Sequence, residues 1–376
     1  MDAWIADAAA RIAARAPEEV ALLVGVSSPS GDVEGAEQVL ALTTKLAPAE
    51  ALVERAPCST ADHAEDLILR MQGSGSRRVV LLGHVDTVVA HGEHRPLKRE
   101  GERLLGSGTV DMKAGVVLSL GVLRELAARA ESFAEIALLL VCDEEWRAGP
   151  FVHAERYAGF DACLCFESGE LTPAGEEAVV VKRKAAGTLR VLAHGRSAHS
   201  GAAPERGANA LLALARAAQS VAERHDPAGA QHLTAVPTVV RCGDAFNVVP
   251  AAGELLCDLR ADSERAFDEV VASLPRHVDG VRLESALLRC WPGMDSRAVT
   301  AAVLEQAAAR LGRTVVAAHR GGASDASYLA AEIGLVIDGL GPLGGEAHAP
   351  DEYIVEASLR TRAEVALALV DAVLAG

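Results

Sequence analysis

The stretch VVLLGHVDT, Val79–Thr87, decides the fold, because a short apolar strand runs directly into a histidine and an aspartate. Two further apolar stretches, Ile136–Cys142 and Ala162–Phe166, are predicted to be buried strands, and acidic residues follow each of them. A long helical pattern from Met112 to about Ala128 lies between the first strand and the second. Strands that alternate with helices predict an α/β fold with a mixed, mostly parallel sheet.

The pattern changes at about residue 181 and changes back after residue 290. The elements predicted in between follow the order strand, helix, strand, strand, helix, strand: Thr188–His194, Pro204–Arg224, Val236–Cys242, Glu254–Arg260, Glu264–Leu274 and Val281–Leu288. That order is typical of a ferredoxin-like α+β module. The sequence therefore predicts a discontinuous α/β domain, residues 1–180 and 291–376, with a module inserted at residues 181–290.

The N-terminal segment is predicted to hold two helices, Trp4–Ala16 and Pro17–Val26, since proline suits a first helical turn. Its charged, alanine-rich pattern differs from that of a signal peptide, and no apolar run reaches the length of a membrane span. Seven cysteines without a repeated CxxC spacing predict free, mostly buried thiols in a reducing compartment, so a cytoplasmic location is expected. The formal charge of -16 argues against nucleic acid or an anionic membrane as partner.

Imidazole and carboxylate side chains follow the predicted strands, at the edge where α/β sheets bind ligands. They are His84, Glu144, Glu145 and Glu167. Such side chains hold divalent ions in hydrolases, and one glutamate of an adjacent pair can ligate while the other serves as general base. Asp86 can orient His84, and Asp111 has two oxygens with which to bridge two ions.

Each of these residues also has an ordinary structural interpretation. His84 and Asp86 can be a loop histidine with a hydrogen-bonded aspartate, and Asp111 can cap the helix that follows it. The adjacent glutamates can be solvated surface acids, and His348 lies in a loop before the last predicted helix. The interpretation as a metal site therefore depends on the whole set and on its order along the chain.

That order resembles the M20 metallopeptidases, the family that includes carboxypeptidase G, acetylornithine deacetylase and succinyl-diaminopimelate desuccinylase. The matching motifs are HVDT at 84–87, GSGTVDMK at 106–113, DEE at 143–145, FES at 166–168, GRSAHSGAAP at 195–204, NVVP at 247–250, DLR at 258–260, GGASDA at 321–326 and AHAPDEY at 347–353. They are most similar to the glutamate carboxypeptidase branch. The resemblance extends from about Val79 to the C-terminus.

The resemblance implies a zinc-exopeptidase-type catalytic domain with two divalent metal ions, zinc first and cobalt or manganese as alternatives. It implies that Asp111 bridges the ions, with His84 and Glu167 at one site and Glu145 and His348 at the other. Glu144 is then the general base, and Asp86 holds His84.

The resemblance also implies that the inserted module is a lid and dimerisation domain, so that the protein forms a homodimer. His199, the histidine of the GxxxH motif, is then expected to reach the active site of a second subunit and stabilise the oxyanion. The positions that hold the carboxylate and backbone of the substrate correspond to Asn247, Arg260, Gly321, Gly322 and Ser324.

The function expected from this set is exo-acting hydrolysis of an amide bond, which releases a C-terminal amino acid from peptidyl, folyl or acyl conjugates. Glutamate-preferring members carry basic residues at two places that fall here near Ala178 and Trp291, although four basic residues lie close by: Lys182, Arg183, Lys184 and Arg289. A neutral or apolar residue next to the scissile bond is therefore an alternative to glutamate. The alternatives are an N-acyl-amino-acid deacylase and a non-catalytic metal- or amino-acid-binding protein. A serine hydrolase is disfavoured because no G-x-S-x-G motif occurs.

Overall fold

The computed structural model describes residues 1–376 and divides into two compact units. The first comprises Met1–Lys182, Asp295–His319 and Ser324–Gly376, and the second comprises Arg183–Met294 and Arg320–Ala323. The second unit begins two residues and ends four residues after the predicted bounds of the inserted module, 181 and 290. The short segment 320–323, which also belongs to the second unit, was not predicted. That segment joins the second unit because the Lys184 N–H and the Arg183 Nη1 donate to the carbonyls of Arg320 and Gly322.

A six-stranded sheet forms the centre of the first unit. Its order is Leu52–Ala56, Asp66–Gln72, Glu135–Val141, Arg78–His84, Ala162–Cys165 and Leu335–Ile337. The last four strands are mutually parallel, and the first two pair antiparallel. The parallel strands are mostly apolar and buried on both faces, as sheets covered by helices require. The predicted α/β class with a mixed, mostly parallel sheet is confirmed.

Helices surround this sheet: Ala3–Val24, Val33–Leu46, Ala114–Ala127, Arg297–Leu311, Ala326–Leu329 and Ser358–Ala375. The prediction of two N-terminal helices was wrong, because Ala3–Val24 is continuous and has Pro17 in its interior. Its buried positions recur with helical spacing on both sides of the proline, from Ile5 through Ile12 and Ala16 to Leu23. Burial of this continuous apolar face offsets the backbone hydrogen bond that a proline removes.

The second unit is a five-stranded antiparallel sheet with its own apolar core. The strands lie in the order Thr234–Cys242, Ala252–Ala261, Ala185–His194, Val281–Trp291 and His277–Val278. The helices Ala210–Ala222 and Arg265–Ser273 complete the predicted ferredoxin-like order. The first of them begins later than predicted, because the Asn209 side chain caps it by accepting from two backbone N–H groups.

Short strands complete the description. One small sheet contains Lys98–Glu100, Arg103–Leu105, Gly344–Gly345 and Tyr353–Val355. A second small sheet contains Glu170–Leu171, Glu177–Arg183, Met294–Asp295 and Val315–Arg320. Ala198–His199 and Val248–Val249 form a two-stranded ribbon. None of the seven cysteines takes part in a disulfide bond, as predicted. None of the helices combines the length and apolarity that a membrane span requires.

Candidate metal centre

Three strand ends place acidic and imidazole side chains at one edge of the six-stranded sheet. His84 is the last residue of its strand, and Glu167 follows a neighbouring strand by two residues. Glu144 and Glu145 come three and four residues after the strand on the other side. These strands are parallel neighbours, so their carboxyl ends meet where α/β folds bind ligands.

Asp111 comes from the separate segment Thr109–Lys113, which precedes the helix Ala114–Ala127. The backbone here is irregular, with φ 74° at Gly108 and φ -128°, ψ 89° at Asp111. The alternative interpretation of Asp111 as a helix cap is wrong, because Lys113 occupies the cap position and no side chain caps the helix. The Asp111 carboxylate lies between two histidines instead.

Two groups of three potential ligands share Asp111. Nε2 of His84 lies 3.0 Å from Oδ1 of Asp111 and 3.7 Å from Oε1 of Glu167. Nε2 of His348 lies 3.1 Å from Oδ2 of Asp111 and 3.2 Å from Oε2 of Glu145. Ligands on a tetrahedral ion at about 2.0–2.1 Å are about 3.3 Å apart. The five residues therefore have the spacing that two ions sharing the Asp111 carboxylate require.

The donor set fits divalent cations. Two imidazoles and three carboxylates suit zinc, and they also suit cobalt or manganese. Glu145 is a second indication of a cation site, because its Oε1 is buried and has no hydrogen-bond partner. A buried, unpartnered carboxylate oxygen is costly unless a cation compensates it.

The site stabilises positive charge on both histidines. Hydrogen bonds to Asp111 and Glu145 raise the pKa of His348 to about 10. Burial alone would lower the pKa of His84, but its hydrogen bonds to Asp111 and Asp86 raise that pKa well above the usual value. Burial also opposes ionisation of Asp111, yet hydrogen bonds from His348 and His84 lower its pKa. A metal ion that binds near neutral pH must therefore displace protons from the imidazoles.

Metal affinity is expected to increase with pH. Below a pKa of about 10 the His348 imidazole carries a proton that the ion replaces, so the apparent affinity should rise about tenfold per pH unit for each proton released. Calorimetric titration of the metal-free protein between pH 6 and 8, in buffers with different ionisation enthalpies, counts those protons. An affinity independent of pH would contradict this electrostatic description.

Glu144 belongs to neither ligand group. Burial raises its pKa well above the usual value, and the nearby His84 opposes the shift only in part. The backbone N–H groups of Glu144 and Glu145 each donate to the Asp86 carboxylate at 3.1 Å. A buried carboxyl group with a raised pKa on an anchored backbone is suited to accept and return a proton during catalysis.

Asp86 contacts His84 through its backbone carbonyl as well as through its carboxylate. Nδ1 of His84 donates to the backbone carbonyl of Asp86 at 3.0 Å, while the Asp86 carboxylate lies 3.4 Å away. This contact leaves Nε2 free to face Asp111. The Asp86 carboxylate also accepts from the Ser30 hydroxyl, so it supports the histidine and the glutamate pair together.

Several supporting residues were missed by the sequence analysis. Arg147 is buried and pairs with Asp143, at 2.8 Å, and with Asp325. Thr60 donates to the other oxygen of Asp143. Asp143 and Arg147 are only four residues apart, so their pair is local in sequence. Asp325 and Thr60 are distant in sequence, and no local pattern indicated them.

His199 lies in the second unit, on the ribbon formed by Ala198–His199 and Val248–Val249, and Asn247 directly precedes the second of these strands. His199 is exposed, and its Nδ1 accepts from the backbone N–H groups of Gly201 and Ala202 at 3.2 and 3.1 Å. The neutral ring therefore carries its proton on Nε2. The Asn247 carbonyl accepts from the Ser200 N–H, so the two predicted residues share one projection.

The predicted substrate contacts at Arg260 and Ser324 already have protein partners. Nε and Nη2 of Arg260 bind Asp258, and not Asp262 or Glu254. The Ser324 hydroxyl is buried and donates to Asp338 at 2.6 Å. Gly321 and Gly322 are exposed in the second unit.

Comparisons with a family model and with curated proteins point to the same peptidase family. Residues 80–372 match the family model described as peptidase family M20/M25/M40. The chain is 27% identical over 368 residues to carboxypeptidase G2 of Pseudomonas sp. strain RS-16, covering 93% of this chain and 86% of that protein. It is 26% identical over 322 residues to a succinyl-diaminopimelate desuccinylase of Methylibium petroleiphilum, covering 76% of this chain and 79% of the other.

Solved structures share the fold over almost the whole chain. Aminopeptidase PepT from Bacillus cereus superposes with a TM-score of 0.79 at 21% identity, covering 96% of this chain and 98% of that one. The YXEP protein of Bacillus subtilis, described as a dinuclear metal binding peptidase from the M20 family, gives 0.71 at 16% identity, with 97% and 99% covered.

Proposed function

The chain belongs to peptidase family M20/M25/M40, and on that basis we propose that it is an exo-acting amide hydrolase that uses two divalent metal ions. Membership makes it a metallopeptidase or amidohydrolase. The finer proposal is that it releases a C-terminal amino acid from peptidyl, folyl or acyl conjugates. The observation that supports it best is the position of Asp111 between two ligand groups, with Glu144 beside them.

The residues of the chain divide the chemistry between them. We assign His84, Asp111 and Glu167 to one ion and Asp111, Glu145 and His348 to the other, with zinc as the first choice. Such ions, when bound, polarise a substrate carbonyl and lower the pKa of water. Glu144 takes the proton of the attacking water and delivers it to the departing amine. Asp86 keeps the His84 ring and the Glu144 backbone in place for this transfer.

His199 is proposed to stabilise the oxyanion at the active site of a second subunit. Its Nε2–H is the donor that such a role requires, because Nδ1 is occupied by two backbone N–H groups. A homodimer through the second unit is supported by the strand Thr234–Cys242, which lies at a sheet edge and exposes Val236 and Val240. Exposed apolar edge strands favour pairing with another chain.

The substrate carboxylate is assigned to Arg260 and Asn247. Asp258 occupies Nε and Nη2 of Arg260, which leaves Nη1 to bind an anion. The backbone at Gly321 and Gly322 and the segment at Ser324 are assigned to the substrate's backbone. Ala178 and Trp291 supply no cation, so we propose that the released residue is neutral or apolar at least as readily as glutamate.

A cavity of about 420 Å³ in the first unit is proposed to hold the acyl side of the substrate. His348 lines it, so the cavity lies directly beside one ligand group, and Arg95 and Glu93 provide polar contacts. Its volume is within the range of small-molecule sites.

A matched substrate panel tests this function. Dipeptides, folyl conjugates and N-acyl amino acids should be hydrolysed with zinc, cobalt or manganese, and the corresponding C-terminal amides about 100-fold more slowly, because an arginine contact to the carboxylate is lost. Faster release from N-acetyl or N-succinyl amino acids than from peptidyl substrates would favour the deacylase alternative. Hydrolysis that requires a free N-terminal amine, or that is equally fast for free acids and C-terminal amides, would contradict exo-action at the C-terminus.

A further inference from the structure

Glu352 is a buried carboxylate that has no part in the chemistry assigned above. It is 2% exposed, and it accepts three hydrogen bonds from backbone N–H groups of a single segment. Oε2 accepts from Gly108 at 2.8 Å, and Oε1 accepts from Val110 at 2.8 Å and from Asp111 at 3.1 Å. Because three backbone N–H groups donate to one buried carboxylate, these hydrogen bonds hold the segment in a defined conformation.

The segment that Glu352 binds is the one that carries Asp111. Its backbone is non-helical at Asp111 and Met112, and Gly108 has positive φ, so no helix or strand satisfies these N–H groups. Buried backbone N–H groups require acceptors, and here Glu352 supplies them. The direction of the Asp111 carboxylate therefore depends on a side chain far away in sequence.

Glu352 also joins this segment to the loop of His348. Its carbonyl accepts from the Gly106 N–H at 3.1 Å, and its N–H donates to the carbonyl of Ala349 at 3.2 Å. The buried side chain of Lys113, which donates to the Val26 carbonyl, lies nearby. Glu352 thus connects the backbone segment that carries Asp111, the ligand shared by both groups, to the loop that carries His348.

We propose that Glu352 is a positioning residue of the metal centre, which orients the Asp111 carboxylate through the backbone of residues 108–111. The inference rests on the proposed function only in that the centre binds metal. Glu352 is not itself a ligand, because its two oxygens are directed at backbone N–H groups. Loss of this support should allow Asp111 to turn away from one or both histidines, and the ions should bind more weakly.

The test is metal binding by Glu352→Gln. Glutamine keeps the volume but replaces one acceptor oxygen with an NH2 group, so at least one of the three N–H groups loses its acceptor. Zinc affinity, measured by competition with a chelator on the metal-free protein, should fall about 10–100-fold, as for other residues that support ligands. The dicobalt form should show an altered visible absorption spectrum. Asp351→Asn is the matched control, because Asp351 is the exposed neighbour and should bind as the unaltered protein does.

The outcomes separate positioning from a merely structural role. A lower unfolding temperature with unchanged zinc affinity and an unchanged cobalt spectrum would overturn the inference. If Glu352→Gln does not fold, hydrogen exchange of residues 106–113 in the unaltered metal-free protein decides the matter: slow exchange is expected, and fast exchange would overturn the inference. An unaltered protein that binds no metal would instead remove the proposed function.

Discussion

Replacing Glu144 with glutamine is expected to lower kcat by about 10²–10⁴-fold while both metal ions remain bound, because a general base is lost and no ligand is changed. Glutamine keeps the volume of the side chain but cannot accept the proton of the attacking water. The backbone N–H of residue 144 still donates to Asp86, so the supporting geometry should persist. Rates of amino acid release and metal content per chain, measured on the same preparation, provide the two readouts.

Glu155→Gln is the control for this substitution, because Glu155 is an exposed glutamate of the same unit. It should leave both kcat and metal content unchanged. Retention of more than a tenth of the activity in Glu144→Gln would assign the base to another group. Loss of metal in this variant would instead make Glu144 a ligand.

Replacing His199 with alanine is expected to lower kcat by about 10²–10³-fold, the effect of removing one oxyanion donor, with little change in KM. The metal content should not change, since His199 lies in neither ligand group. His277→Ala is the control, because His277 is an exposed histidine of the same unit. An equal loss in both variants would indicate general damage to the second unit.

Coexpression with Glu144→Gln tests whether His199 acts in a second subunit. A heterodimer of the two variants contains one active site with both Glu144 and His199 intact. Random pairing in a two-fold dimer should therefore restore about a quarter of the unaltered activity. Activity no greater than that of the separate variants, although both are dimeric, would place His199 at the active site of its own chain.

The sequence predicted the main features of the fold because they depend on local patterns. The apolar strand at Val79–Leu82, its neighbours along the chain and the helix after Lys113 indicated a parallel sheet, and the change of pattern near residue 181 indicated the inserted module. The preference of Pro17 for a first turn predicts two N-terminal helices, whereas the apolar face that continues past Pro17 makes Ala3–Val24 one helix.

The ligand groups were predicted from motifs in order, and the structure brings those same five residues within ligand spacing of one another. Parallel strands explain why His84, Glu145 and Glu167 lie close together, since strand ends are local features that converge at one edge of the sheet. For Asp111 and His348 no such rule existed, and the prediction depended on family resemblance.

Support for the ligands was not predictable in the same way. The Arg147 pair with Asp325 and the Glu352 contacts with residues 108–111 join segments more than 170 residues apart. Neither contact leaves a periodic or local pattern. The pair of Arg260 with Asp258 on the same strand was also not predicted, because Asp262 and Glu254 were equally available partners in the sequence. Contacts between side chains that are far apart in sequence depend on tertiary packing.

The central claim is that Asp111 bridges two ions, and a crystal structure of the zinc-loaded protein with anomalous scattering at the zinc edge tests it most directly. We expect two anomalous peaks about 3.5–4 Å apart, one on each side of the Asp111 carboxylate. His84 and Glu167 should contact one peak, and Glu145 and His348 the other. A single peak, or zinc bound away from Asp111, would contradict the claim.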